Sequence, residues 1–487
     1  MTRSWLMVTA LLLAAPAHAQ VDEDVEAGGG DASEEEASAE AASEPLPARD
    51  PGQPAEPEPV HFVLENGLSV WLQPVPGRRF SAVAVTYRVG SGDVPVGWTG
   101  LAHLTEHLMF SGTDELGEVE TYLRLEAAGA VDRNAETGPD RTLYHEVLPT
   151  SQLGEALFLE SHRMARLLAG LTEARVARQQ EVVLHEGWER GTYGWRGLLA
   201  GSLYRGTFPE THPYARAIVE RPDDVAAIRL PHVQWFFQQH YAPDNAVLSV
   251  VGGFDPEVLR SEIEARFGPI RRSAPRPARP DPPAVAPLDH ERRITIAVQD
   301  DRDQLIVAWP TPALYAPGDA ELDVLSTLLS QHRDAPVRRA LVESGLALEA
   351  YVAQRSHRLG SIFTVHAIPA PGHDTGELLT VLDRVLRELP AFDDAAVARA
   401  RGRWVRQERL RIEDLGTRAL RLGLATDRFV PTPGNERARY AAVQAGDVAA
   451  VRDRWLPLDR RLVLTVRARP DGPSRGNTLQ DEHRGTR

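Results

Sequence analysis

The 487-residue chain contains no cysteine, which excludes disulfides, thiolate metal ligands and a lipid-modified N-terminal cysteine. Any metal it binds must therefore be held by histidine and carboxylate side chains. Lysine is missing too, so all 54 basic residues are arginine, and covalent chemistry centred on a lysine amine is excluded. Long apolar runs are scarce. The one that stands out is at the start, where Arg3 precedes an apolar stretch from Trp5 to Ala15 and the small-residue site Ala17-His18-Ala19 stands before Gln20. About eleven residues fall short of the roughly 20 that a spanning helix needs, so residues 1–19 read as a cleavable secretory signal. The expected location is the periplasm of a Gram-negative-type bacterium or the extracellular space, with no membrane span after cleavage.

Large apolar side chains are also nearly absent from residues 20–59, where Glu, Asp, Ala, Gly, Ser and Pro dominate. Such a segment cannot bury enough surface to offset the entropy of ordering, and a disordered acidic tether is expected. Thirteen acidic residues face only Arg49 between 21 and 59. The tether thus carries −12 of the formal −15, Arg3 adds +1, and the body keeps −4. A near-neutral body without a basic stripe argues against nucleic acid as a partner.

The remaining chain of about 410 residues is too long for one ordinary core. A cut suggests itself at 271–288, where Pro275, Pro277, Pro280, Pro282, Pro283 and Pro287 exclude helix and sheet interiors and make a semi-rigid spacer. Before it, residues 60–270 alternate as strands over Val60 to Leu72, around the turn Asn66-Gly67, and over Ser81 to Val89. Helical spacing follows at Leu101, Leu104 and Leu108, then strands near Ala130 to Asn134 and Thr142 to Val147. Helices are expected from Ser151, with Leu153, Leu157, Met164 and Leu168 on the buried side, and from Glu173 to about Arg190. A helix at His232 to His240, a strand at Ala246 to Val251 and a helix at Pro256 to Phe267 close the half. Residues 289–470 repeat the order loosely, through strand Gln304 to Trp309, helix Ala320 to Leu329, strands at Leu348 to Val352 and Ile362 to Ala367, helix Thr375 to Leu389 and strand Arg461 to Arg467. Where the first half has His103, Glu106 and His107, the second has Asp323, Ser326 and Thr327, so it reads as a metal-free copy. Residues 471–487 are expected to be a disordered tail.

The motif His103-Leu104-Thr105-Glu106-His107 carries the chemistry. On a helix, residues four apart share a face, so both imidazoles can reach one Zn²⁺. Glu106 is placed to take a proton from water at the metal without ligating it. The flanks Leu101-Ala102 and Leu108-Met109-Phe110 are apolar, and unpaired imidazoles in such a helix would be costly. A third ligand is required. Glu181, His185, Glu186 and Glu189 on the helix after Thr172 all qualify, and periodicity does not choose among them.

The stretches Gly90-Ser91-Gly92-Asp93, Thr99-Gly100-Leu101-Ala102-His103, His107-Leu108-Met109-Phe110-Ser111-Gly112-Thr113, Asn134-Ala135, Asp140-Arg141-Thr142-Leu143-Tyr144, Glu160 to Met164, Glu181 to Glu186, His212-Pro213-Tyr214 and Tyr241 to Ala246 resemble the insulinase and pitrilysin family of inverted-motif zinc peptidases, in its short, two-domain form. The likeness covers residues 60–270 and, more weakly, the second half. It implies an α+β fold of two homologous domains, each a mainly antiparallel sheet with helices packed on it, of the processing-peptidase/insulinase-like kind. It also implies one Zn²⁺ per chain and an endopeptidase acting on peptides or unfolded polypeptides. Through Val182-Val183-Leu184-His185-Glu186 it makes Glu186 the third ligand, with Glu181 the fallback, and it assigns Asn134 and Ala135 to the backbone of the substrate. Three departures stand out. Gln179 replaces a supporting glutamate seven residues before the ligand. Glu136 replaces an apolar residue, and a carboxylate beside the cleft would favour basic substrate side chains. Val342 and Leu348 stand where active members have an Arg and Tyr pair, with Arg338 and Arg339 nearby. The resemblance therefore implies a homologous partner subunit that supplies the pair, or a homodimer, or else a catalytically weak or inactive member serving as a binding or assembly subunit.

Overall fold

The computed structural model describes residues 57–272, 285–299, 302–411, 413–424 and 433–469. The expected signal, the tether up to residue 56, most of the proline-rich linker and the C-terminal tail lie outside the described residues.

The first half runs β1 (Val60–Val63), β2 (Ser69–Pro74), β3 (Phe80–Tyr87), α1 (Leu101–Leu108), α2 (Glu118–Ala127), β4 (Asp132–Thr137), β5 (Thr142–Pro149), α3 (Leu153–Gly170), α4 (Glu173–Glu189), α5 (Trp195–Thr207), α6 (Pro213–Ala217), α7 (Pro222–Ala227), α8 (Leu230–His240), β6 (Ala246–Gly252) and α9 (Pro256–Phe267). Its sheet has the order β1-β2-β6-β3-β5-β4, and only β2 and β6 pair in parallel. β4 is an edge strand. One face of β3 (Val83, Val85, Tyr87) is buried with Leu101, Leu104 and Leu108 of α1, which is the alternation expected of a strand with one face on a core. The long third helix starts at Leu153 rather than Ser151, because residues 150–152 form a 3₁₀ turn first.

The second half runs β7 (Arg292–Val298), β8 (Gln304–Thr311), α10 (Asp319–Ser330), α11 (Pro336–Leu341), β9 (Ala347–Arg355), β10 (Ser361–Pro369), α12 (Thr375–Arg387), α13 (Asp394–Arg411), α14 (Leu415–Leu424), α15 (Pro433–Ala441), α16 (Ala445–Trp455) and β11 (Leu462–Ala468). Its sheet order is β7-β11-β8-β10-β9, which matches β2-β6-β3-β5-β4 strand for strand. The single parallel pair, β7 with β11, recurs at the same place, and α10 follows β8 as α1 follows β3. On α10, Asp319 is fully buried. It accepts bonds from Arg439, Ser356 and the Tyr315 backbone, while Asp323 accepts from the Tyr440 hydroxyl at 2.5 Å. An ionic and hydrogen-bonded network thus ties α10 to α15.

Each half covers the other's sheet. Helix α14, from the second half, packs on β3, β5 and β6. There Leu415, Ala419 and Leu422 are buried against Ala84, Val247 and Val251. Helix α5, from the first half, packs on β7, β8 and β11, burying Leu199 and Leu203 against Ile306 and Leu462. Burial at about 25 cal/mol per Å² of apolar surface makes both contacts part of the folding of the whole chain.

Candidate metal and active site

Helix α1 is short because the chain turns sharply at both ends. Gly100 caps it in the left-handed region, at φ +87, and a Cβ there would stand 2.4 Å from Val225 Cγ2, so only glycine fits. Leu101, Ala102, Leu104, Thr105 and Leu108 are buried, which turns His103, Glu106 and His107 to the remaining, partly open face.

His103 and His107 bring their Nε2 atoms to 3.1 Å from each other. Helix α4 packs across α1 and supplies Glu186, whose Oε2 lies 3.0 Å from His107 Nε2 and 3.5 Å from His103 Nε2. Ligand atoms on a tetrahedron with Zn–N and Zn–O bonds of about 2.0–2.1 Å are separated by roughly 3.3 Å, and these three distances bracket that value. Glu186 Oε2 is buried, and the two histidine nitrogens are the polar atoms it faces. Its other oxygen pairs with Arg190 one turn on. Among the described residues no other trio of histidine and acidic side chains converges in this way. Glu181, His185 and Glu189 all point to solvent on α4, and His185 pairs with Glu189 there. The donor set of two imidazoles and one carboxylate fits zinc.

Burial works against a charge on His103, but the Glu220 and Glu186 carboxylates outweigh it and hold its pKa well above the ordinary value. Burial alone would raise Glu186, yet the two histidines keep it far below the usual carboxylate range. Glu106 is different. Burial pushes its carboxyl up from the ordinary value, against the pull of both histidines and of Thr137. The Thr137 hydroxyl donates to Glu106 Oε2 at 2.5 Å, so the edge strand β4 fixes the base in place.

On β4, Ala135 is buried in the first core and Thr137 reaches Glu106, so these two face α1. Asn134 and Glu136 alternate to the opposite face. Asn134 Oδ1 accepts from Ala135 N at 2.9 Å. Glu136 is thus turned away from the metal helix, which weakens the expectation that it selects basic side chains. Gln179 is buried and donates to Glu118 at 3.4 Å. The carboxylate on His103 comes instead from Glu220, at 2.9 Å from Nδ1. Nothing in the sequence spacing points to Glu220, which lies 34 residues beyond Glu186. Thr137 was within reach of the sequence, because period-two alternation places it on the face of Ala135. Val342 packs against the second core and Leu348 is exposed at the start of β9. Arg338 pairs with Glu343.

Residues 69–189, which span α1 and α4, match the insulinase family (peptidase family M16), and residues 227–403 match the peptidase M16 inactive domain. The chain belongs to the insulinase family. It is similar to the zinc protease PqqE of Helicobacter pylori, with 26% identity over 299 residues, or 61% of this chain and 66% of that protein, just under two thirds of its length. Its fold matches the crystal structure of a protease from Helicobacter pylori with a TM-score of 0.76 and 20% identity, over 85% of this chain and all of that one. The periplasmic protease PqqL from Escherichia coli matches with a TM-score of 0.70 and 17% identity, over 85% of this chain and 48% of that one.

Proposed function

We propose that this insulinase-family chain is a zinc-dependent endopeptidase in which residues 60–270 form the zinc-bearing domain, 271–288 a linker and 289–470 a metal-free homologous domain. The observation that carries the reading is the set of tetrahedral separations among His103 Nε2, His107 Nε2 and Glu186 Oε2, with Glu106 beside them. Held by His103, His107 and Glu186, zinc would supply Lewis acidity toward the scissile carbonyl and the attacking water. Glu106 takes the proton of that water and passes it to the leaving amine. Its raised pKa brings it closer to neutrality, where a base that must also donate works best. Thr137 orients the carboxylate. The open edge of β4 lets an extended peptide add as a strand through main-chain hydrogen bonds, with Asn134 and Ala135 at the backbone near the scissile bond. Recognition of this kind suits peptides and unfolded polypeptides.

Val342 and Leu348 cannot donate hydrogen bonds to a tetrahedral intermediate. A homologous subunit supplies that Arg and Tyr pair in our reading, since a second copy of this chain carries the same Val342 and Leu348. The same two positions favour a second reading, in which the chain binds peptide or assembles with a partner without cleaving. The signal at 1–19 supports export. Among the described residues no helix is long and apolar enough to cross a membrane, and the neighbour PqqL is a periplasmic protease. The test is to assay the chain without residues 1–19, alone and with a candidate partner, on unfolded peptides, with Glu106→Gln as the comparison. Equal cleavage by wild type and Glu106→Gln ends the catalytic reading, and wild type devoid of zinc ends the metal reading.

A further inference from the structure

We propose that Glu220 and Tyr193 are positioning residues for His103, and that the second half of the chain holds both in place. The inference rests on the metal reading above. A carboxylate can only accept hydrogen bonds, so Glu220 at 2.9 Å from His103 Nδ1 fixes the proton on that nitrogen. The Nε2 lone pair is then free and aimed at the point shared with His107 and Glu186. Tyr193 OH donates to the second oxygen, Glu220 Oε2, at 3.4 Å, so the carboxylate is held at both ends. Its side chain is 14% exposed, a site where an unpaired carboxylate would be costly.

The chain path gives this pair a wider meaning. Tyr193 and Glu220 bracket residues 195–218, the segment that lies across the second sheet, where Leu199, Leu203 and Ile218 are buried against Ile296, Ile306 and Leu462. On the far side of Glu220, Arg221 N donates to Thr99 Oγ1 at 2.8 Å, and Thr99 Oγ1 donates to Asp224 at 2.8 Å. Thr99 stands four residues before His103, so these bonds set the height of Glu220 along α1. A contiguous set of packed residues thus leads from the metal-free sheet to the ring of a metal ligand. The second half, which contributes no side chain to the His103, His107 and Glu186 cluster, is in this view part of the metal site.

The test measures zinc affinity of the full chain by competition with a chromogenic chelator, with far-UV circular dichroism to verify folding. Glu220→Ala is expected to bind zinc about 10–100-fold more weakly, the usual cost of removing such a partner. Glu220→Gln recovers part of the loss, because an amide oxygen still accepts from Nδ1–H. Tyr193→Phe loses about threefold. Leu462→Ala, which opens the contact between α5 and the second sheet, loses several-fold without touching the site. Wild-type affinity in folded Glu220→Ala overturns the proposal. If that variant fails to fold, wild-type affinity in both Glu220→Gln and Tyr193→Phe overturns it. Unchanged affinity in Leu462→Ala removes the second half from it. A wild-type chain that binds no zinc fails differently, since it overturns the metal reading first.

Discussion

At the scale of the residue, the instructive pair is Glu186 and Glu181, five positions apart on one helix. Five residues are about 500° of turn, so the two side chains point roughly 140° apart, one to the histidines and the other to solvent. Glu186→Ala is expected to lose zinc and Glu181→Ala to keep it, which metal analysis of the purified variants reads directly. Glu106→Gln should retain zinc and lose about 10²–10⁴ in kcat, the range for a general acid–base group. Thr137→Val keeps the base but frees its carboxylate to rotate, and a fall of about tenfold in kcat with little change in KM is expected. The histidines and Glu106 were legible because a helix turns fixed spacing into one face. The choice of Glu186 needed the resemblance, since four polar residues crowd the same helix. Glu220 was not legible at all: it meets His103 only because the chain leaves for the other sheet and returns, and no local pattern records that excursion.

Among the elements, the strands other than β7 and several of the helices behind them could be read from alternation and spacing, with ends shifted by two or three residues, as at β4. Helices α5 and α14 could not. Gly197, Gly201 and Gly206 deprive α5 of an amphipathic stripe, although glycine is what lets it lie close on Leu462. For α14 the buried face is plain in the structure, but an apolar face does not say which sheet it covers. Here Leu422, which is 2% exposed, meets the sheet of the other half. Leu422→Ala should cost about 2–4 kcal/mol in chemical denaturation. Gly423→Ala should also destabilise, because a Cβ there would stand 2.7 Å from Thr86 Oγ1 and the strand beneath is packed on both faces. The expected cost is about 1–3 kcal/mol.

For the whole molecule, acid is the informative perturbation. His357 and His366 on the second half are both held down to about 4, chiefly by burial and then, for His366, by Arg355. His357 Nε2 and the Tyr204 hydroxyl of α5 share a hydrogen bond of 2.9 Å, which joins the two halves. Unfolded, each histidine takes a proton near pH 6.5. Between pH 6.5 and 4 the unfolded chain therefore binds more protons than the folded one, and stability falls as pH falls through that window. Both residues are only partly buried, so the loss is about 2 kcal/mol apiece or less. The thermal midpoint of wild type should fall more steeply than that of His366→Leu as the pH is lowered from 7 to 4.5. The two-sheet plan and the repeated strand order of the second half were legible in order and spacing. The mutual covering of the sheets was not, and it has a practical consequence. The chain is built as two interlocked pieces, so a cut in residues 273–284 should leave fragments that stay together through dialysis, whereas either fragment expressed alone should aggregate. What reads on paper as a catalytic domain with an appendage is, as a physical object, indivisible.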